Sequence, residues 1–328
     1  MGQKNNKTEK MGSGVAVWLK ELRAPFFTAA IIPVIAGVVT AWAYFDKVFL
    51  PFQFVLTLVG AVFLHAGTNV INDYFDYKSG DDIVNKEKNQ PFSGGSPYLP
   101  AGRISPSAVY KYALLFFALG GLIGIYLALD MGIQKGGWVI ILLGVVGIGA
   151  GYFYVEPHVN LCGRGVGEAI VGLCFGPLVV FGAFYVQTRV FSIIPFLVGI
   201  PIGLLIAAVL YINQFPDYNA DRSVGKRNIV VRLGKKDAIK GYFIIMFLAY
   251  FSILFAVVLG LASLPHLTPF ALIALATAPV TIRSARILKG NYADSPKLAP
   301  AQALTIQVHL LTGLLLCISI FLSAIIVV

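Results

Sequence analysis

Residues 52–82 read FQFVLTLVGAVFLHAGTNVINDYFDYKSGDD. The first two thirds of this stretch are apolar and long enough to cross a bilayer, since a spanning helix needs roughly 20 mostly apolar residues. The run then ends in amides and acids: Asn69, Asn72, Asp73, Asp76, Asp81 and Asp82. If the helix continues through them, Asn72 and Asp76 lie four residues apart on one face, as do Asn69 and Asp73. An aspartate in or beside a membrane helix is costly and by default marks function. Several together are tolerated mainly when a divalent cation or a cationic side chain neutralises them. Oxygen-only ligands suit Mg²⁺, which usually shares its shell with substrate phosphates.

The rest of the chain fits that opening. Of its 328 residues, 58% are hydrophobic and 12% are charged, where a soluble domain carries about 25% charged residues. Mean hydropathy is +0.81. Nine apolar runs of spanning length occur, at about 25–45, 52–72, 108–129, 137–155, 166–187, 191–213, 241–262, 268–288 and 304–327. The expectation is an all-α polytopic membrane protein with nine transmembrane helices. One membrane domain covers 15–328, after a disordered cytosolic tail over 1–14 with no cleavable signal peptide. Cys162, Cys174 and Cys317 are scattered, so neither a disulfide nor a zinc site is expected. His65, His158, His266 and His309 share no spacing, and no catalytic role is assigned to them.

Placed between these runs, every Lys and Arg except Lys47, Lys135 and Arg189 falls on one side of the membrane. The basic side is cytoplasmic, which puts the N-terminus inside and the C-terminus outside. The net charge of +10 is then a topology signal, aided by anionic lipid, and not a sign of nucleic acid. The two longest loops, about 73–107 and 214–240, are both cytoplasmic, and loops this long are commonly functional. Each begins with clustered Asp.

The second cluster holds Asn213, Gln214, Asp217, Asn219, Asp221, Arg222, Lys226 and Arg227. Asp217 and Asp221 again sit four apart. Either cluster alone could be a solvated helix end. Two on the same face, each followed by basic residues, suit Mg²⁺ ions held by facing carboxylates, with Lys and Arg on the remaining phosphate oxygens. A transporter would place such charges near the midplane, on broken helices with inverted repeats, and neither feature is seen.

Asn72-Asp73-x-x-Asp76 followed by Asp81, paired with Asp217-x-x-x-Asp221, resembles the UbiA superfamily of intramembrane prenyltransferases, whose fold has nine helices. Within it the sequence is most similar to the menaquinone branch, the 1,4-dihydroxy-2-naphthoate polyprenyltransferases. Phe92-Ser93-Gly94-Gly95-Ser96, Pro100-Ala101-Gly102-Arg103, Gly165-Val166-Gly167-Glu168, Phe175-Gly176-Pro177 and Asp221-Arg222-x-x-Gly225-Lys226-Arg227 carry that likeness. Two places depart from the pattern. Gly80 stands where the superfamily commonly has the last Asp of its first motif, so Asp81 or Asp82 must serve. Glu156-Pro157-His158 replaces the branch's Gly-Gly-Pro-like stretch before the fifth helix, which bears on the acceptor and not on the diphosphate chemistry.

The resemblance implies a Mg²⁺-dependent enzyme of a cytoplasmic membrane. It would move a polyprenyl group from its diphosphate to an aromatic acceptor, naphthoate first, with 4-hydroxybenzoate, homogentisate, haem or a glycerol-phosphate lipid as alternatives. Metal ligands would be Asn72, Asp76, Asp81, Asp217 and Asp221, with Asp73 close behind. Asp76, Asp217, Asp221 and Lys226 would carry catalysis. Arg103, Lys226, Arg227, Lys78 and Arg222 would contact the diphosphate, and Arg23 would face the acceptor carboxylate. Tyr152, Tyr154, Phe75 and Tyr218 are candidates to shield an allylic cation. Glu168 reads as a carboxylate favoured by a helix N-terminus. Membrane lipid is the surrounding partner, and no obligate protein partner is expected.

Overall fold

The chain is described by a computed structural model covering residues 14–326. All but Gly14 of the expected cytosolic tail lies outside the described residues. Gly14 opens a short helix, Gly14–Glu21. Every regular element among the described residues is helical. Among the described residues, eight helical segments are long and apolar enough to cross a membrane, and a shorter apolar helix makes nine.

In chain order the nine are α1 Thr28–Tyr44, α2 Pro51–Ser79, α3 Pro106–Met131, α4 Gly137–Phe153, α5 Gly167–Thr188, α6 Ile194–Ser223, α7 Lys235–Val258, α8 Pro269–Asn291 and α9 Ser295–Ile326. The short helix Gly14–Glu21 leads into α1 through a left-handed Arg23 and a 3₁₀ turn, Ala24–Phe27. The fourth run is the shorter helix. Its 17 residues give about 25 Å of rise, a little less than the hydrocarbon thickness of about 30 Å.

The acidic segments stand differently from the loops in which hydropathy placed them. α2 runs on to Ser79 and α6 to Ser223, so Asp73, Asp76, Asp217 and Asp221 all lie in the last turns of helices. An apolar window ends at the first charged residue. The backbone does not, because each further residue completes an i to i−4 hydrogen bond while its side chain enters a polar cavity. Gly80, at φ 85°, then stops α2 in the left-handed conformation.

Packing is ordered around α6, the most buried of the spans. One apolar cluster joins α1, α6, α7 and α9 through Ile32, Ile202, Ile253 and Leu316. Another joins α6, α7, α8 and α9 through Tyr211, Tyr242, Leu288 and Leu298. α2 and α3 make the most extensive helix pair, sealed by Val70, Val109, Ala113 and Phe117. Lipid is as apolar as leucine, so helix association depends on close packing and interhelical hydrogen bonds. Tyr242 supplies such bonds, meeting Ser284 at 2.9 Å and Thr305 at 2.7 Å. Outward, Leu122, Leu129, Val145, Phe247 and Ile326 are all exposed, as expected of a surface facing acyl chains.

α5 and α6 meet through glycine. A π turn over Cys174–Leu178 carries Pro177, which lacks the N–H that a regular helix would need there. A Cβ added at Gly203 would lie 2.1 Å from the Gly172 carbonyl oxygen, and one at Gly176 would lie 2.5 Å from that of Gly199. Both obstacles are backbone, so a side chain must push the helices apart. Gly203→Ala should cost about 1–3 kcal/mol, the range for overpacking, and lower the thermal midpoint in detergent. An unchanged midpoint would show that the two helices are free to separate.

Candidate active site

The last turns of α2 and α6 reach the same point. Lys226, in the turn after α6, donates to Asp76 Oδ1 of α2 at 2.5 Å and to Asp81 just beyond α2. Its Nζ also lies 3.6 Å from Asp221 Oδ1 of α6. One ammonium thus joins carboxylates far apart in sequence. Asn72 donates to Asp76 Oδ2 at 3.1 Å, the contact expected of residues four apart. Asn228 donates to Asp221 Oδ2 at 2.7 Å while its Oδ1 caps the helix Ile229–Leu233. Asn85, one residue past the short helix Asp81–Val84, crosses to Asp217 Oδ1 at 2.6 Å.

Asp82 faces the same space and is 5% exposed. Gly95 lies against it: a Cβ there would come within 2.4 Å of Asp82 Oδ2, and the residue holds φ +61°. Both facts require glycine, and they fold the 92–96 loop over the acidic cluster. Burial, and next the charge of Asp76, push the Asp82 carboxyl up to about 8. Burial works against the charged form of Lys226. Asp76, Asp221 and Asp81 outweigh it and hold the ammonium well above the usual lysine range.

This cluster closes one end of a cavity of about 560 Å³, within the range of small-molecule sites. Five aspartates line it (Asp76, Asp81, Asp82, Asp217 and Asp221), and only two cations, Arg23 and Lys226. Arg23 is already paired with Asp73. Away from the acids the walls become apolar, through Leu64, Ile148 and Phe175 to Leu127, Ile140 and Val186 near the opposite ends of their helices. Ile125 of α3 and Val145 of α4 line the cavity and are exposed, so its apolar part is not sealed. An acid-rich head that suits divalent cations, joined to an apolar channel, fits a molecule whose diphosphate is carried on those cations and whose tail is hydrocarbon.

The chain matches the UbiA prenyltransferase family over residues 30–311. It belongs to that family. It is 30% identical to 1,4-dihydroxy-2-naphthoate octaprenyltransferase of Escherichia coli, covering 96% of this chain and 98% of that one. It is 25% identical to the enzyme of the same name from Bacillus subtilis, covering 98% and 97%. Among solved structures, a UbiA homolog from Archaeoglobus fulgidus bound to DMAPP and Mg²⁺ superposes with a TM-score of 0.59 at 16% identity, covering 91% of this chain and 98% of that one. At that identity the likeness is one of fold.

On this UbiA scaffold, Arg23, Asn72, Asp76, Asp81, Tyr154, Asp217, Asp221 and Lys226 all line the cavity. Asp73 does not. It is fully buried behind the wall, where it takes the Arg23 guanidinium. Lys78, Arg103, Arg222 and Arg227 are exposed and lie outside the lining. Arg103 sits 6.0 Å from the Tyr98 ring. Of the four aromatics proposed as a cation shield, only Tyr154 reaches the cavity. Tyr152 instead meets Tyr110 at 3.2 Å, and Lys235 lies over Tyr218. Glu168 is buried at the start of α5 and accepts from the Ile229 backbone at 3.4 Å.

Sequence reasoning missed Asn85 and Asn228. Asn228 carried a signal, an N-cap residue type directly before an apolar helical run. Asn85 carried none, because only the turn after Gly80 brings it to Asp217.

Proposed function

We propose that this chain is the Mg²⁺-dependent enzyme that transfers a polyprenyl group from its diphosphate to 1,4-dihydroxy-2-naphthoate. The observation that carries the reading is the excess of buried carboxylates gathered by a single lysine at the head of an apolar channel. The two relatives named above, each matched over nearly its whole length, are named for that acceptor.

The donor set fits Mg²⁺. Asp81 Oδ1, Asp82 Oδ2 and Asn85 Oδ1 are buried oxygens with no hydrogen-bond partner, and such groups are expensive to leave unmatched. No three acidic, His or Cys side chains form a ready metal cage among the described residues. Lys226 stands between the carboxylates that would form one. Asn72, Asp76, Asp81, Asp217 and Asp221 would hold the cations. When bound, these would neutralise the charge that develops on the departing diphosphate.

The chain's own groups account for the rest. Lys226, released from the carboxylates, can grip a diphosphate oxygen. As the allylic C–O bond breaks, its electron pair leaves with the diphosphate. The Tyr154 ring faces the electron-poor carbon, and the apolar walls keep water from it. The ring carbon bearing the acceptor carboxylate attacks. The carboxylate then leaves as CO₂ and returns its bonding pair to the ring. The cytoplasmic face, with the N-terminus inside, is our reading of the charge asymmetry.

Membranes holding the chain, given a polyprenyl diphosphate, dihydroxynaphthoate and Mg²⁺, should form a prenylated product lighter by CO₂ than the simple adduct. Formation should stop with EDTA. Product from 4-hydroxybenzoate or homogentisate in its place would reassign the acceptor. No metal-dependent product from any acceptor would remove the enzyme assignment.

A further inference from the structure

α2 presents one continuous face to the cavity: His65, Asn69, Asn72 and Asp76 follow at intervals of four, three and four, and all line it. The chemistry described so far uses only the end of that face. Seven residues, about 10 Å along the axis, separate Asn72 from His65. His65 therefore sits below the diphosphate end and above the apolar channel, at the level where an acceptor ring would meet the allylic carbon.

Its surroundings are specific. His65 is 7% exposed, and its Nδ1 is fully buried without a partner. Its ring is held edge-on between Phe175, with centroids 4.8 Å apart, and Phe27, at 5.6 Å. Arg23, Phe26 and Asn69 line the cavity beside it. An unpaired buried polar group costs about 1–3 kcal/mol, so an imidazole kept here needs a partner that the fold does not supply. His309 shows that burial alone does not select a histidine. It too has a buried, unpartnered Nδ1, but its other nitrogen reaches the Thr28 carbonyl and it does not line the cavity.

We propose that His65 hydrogen-bonds a ring hydroxyl of the aromatic acceptor, in a subsite bounded by Arg23, Phe26, Asn69 and Phe175. This rests on the reading of the chain as an aromatic prenyltransferase. A neutral imidazole offers one donor and one acceptor nitrogen, which matches a phenolic hydroxyl. In dihydroxynaphthoate the hydroxyl next to the carboxylate is engaged internally. The 4-hydroxyl is free, and it is the group assigned to His65. Phe175 and Phe26 give the bicyclic ring apolar faces.

The test compares two inhibitors competitive with the acceptor, 4-hydroxy-2-naphthoate and 2-naphthoate, on the full chain in lipid nanodiscs. Wild type should bind the hydroxylated compound about tenfold more tightly, the worth of one good buried hydrogen bond. In His65→Phe that preference should vanish, with the KM for prenyl diphosphate unchanged. His65→Gln, which keeps a donor and an acceptor, should retain part of it, and His309→Phe all of it. If His65→Phe does not fold, His65→Leu against His65→Gln reads the same ratio. A preference that survives in the Phe or Leu variant, or that falls equally in His309→Phe, overturns the subsite while the enzyme reading stands. Wild type active only on other acceptors overturns the acceptor assignment and this subsite together.

Discussion

Asp76→Ala should abolish prenyl transfer while the protein still accumulates in the membrane, and Asp217→Ala should do the same. A loss of about three orders of magnitude or more is expected, the scale for removing a group that stabilises charge only in the transition state. Asp76 is where both helices converge, since it accepts from Asn72 on its own helix and from Lys226 beyond α6. Asp217 is held from the other side by Asn85. Asp76→Asn refines the test. It keeps the shape, removes the charge, and leaves Lys226 with Asp81 and Asp221. In EDTA, one fewer carboxylate relieves like-charge repulsion, so its thermal midpoint should equal or exceed that of wild type while turnover is lost. Combining Asp76→Ala with Asp217→Ala should cost little more than either alone, because residues acting as one unit are not additive. Near-normal turnover in either single variant, measured as product mass per unit of enzyme, would take that residue out of the metal set.

The spans were legible because a bilayer demands a run of apolar residues that composition cannot hide, and because a helix meets most of its backbone hydrogen bonds within itself. The family-bearing aspartates were legible for a related reason, since charge at a membrane helix end stands out against its surroundings. What hydropathy misread was where the helices stop. Asp76 and Asp221 lie on helix, not loop, because a cavity, not bulk water, receives them. The basic residues were harder. Lys78, Arg103 and Arg227 share the loops of the acids, and loop membership was the only guide to their placement. Which of them turns inward depends on single turns such as Gly225, at φ +82°, which sends Lys226 in and leaves Arg227 out. His65 was passed over because a lone histidine in an apolar run has no partner in sequence. Its neighbours Phe27 and Phe175 come from the turn before α1 and from α5.

Lys226→Met should do two opposite things: lower kcat by about a hundredfold and lower the Mg²⁺ concentration for half-maximal activity about fivefold or more. The first follows from losing a cation that can follow the charge of the departing diphosphate. The second follows from where the ammonium rests. It touches Asp76 and Asp81 and approaches Asp221, so it occupies the carboxylates proposed above to hold the cation, and on that reading each would exclude the other. Removing the competitor makes the site more available. Stability should reveal the same competition. Lys226 is 9% exposed, and stripping a buried charge cluster of its partner costs about 3–5 kcal/mol. Lys226→Met should therefore melt lower than wild type in EDTA, and Mg²⁺ should raise its midpoint by more than it raises that of wild type. A variant whose Mg²⁺ requirement is unchanged or increased, with kcat still low, would mean that lysine and metal bind the carboxylates together. The resting contacts of Lys226 would then be part of the loaded site and not a substitute for the cation.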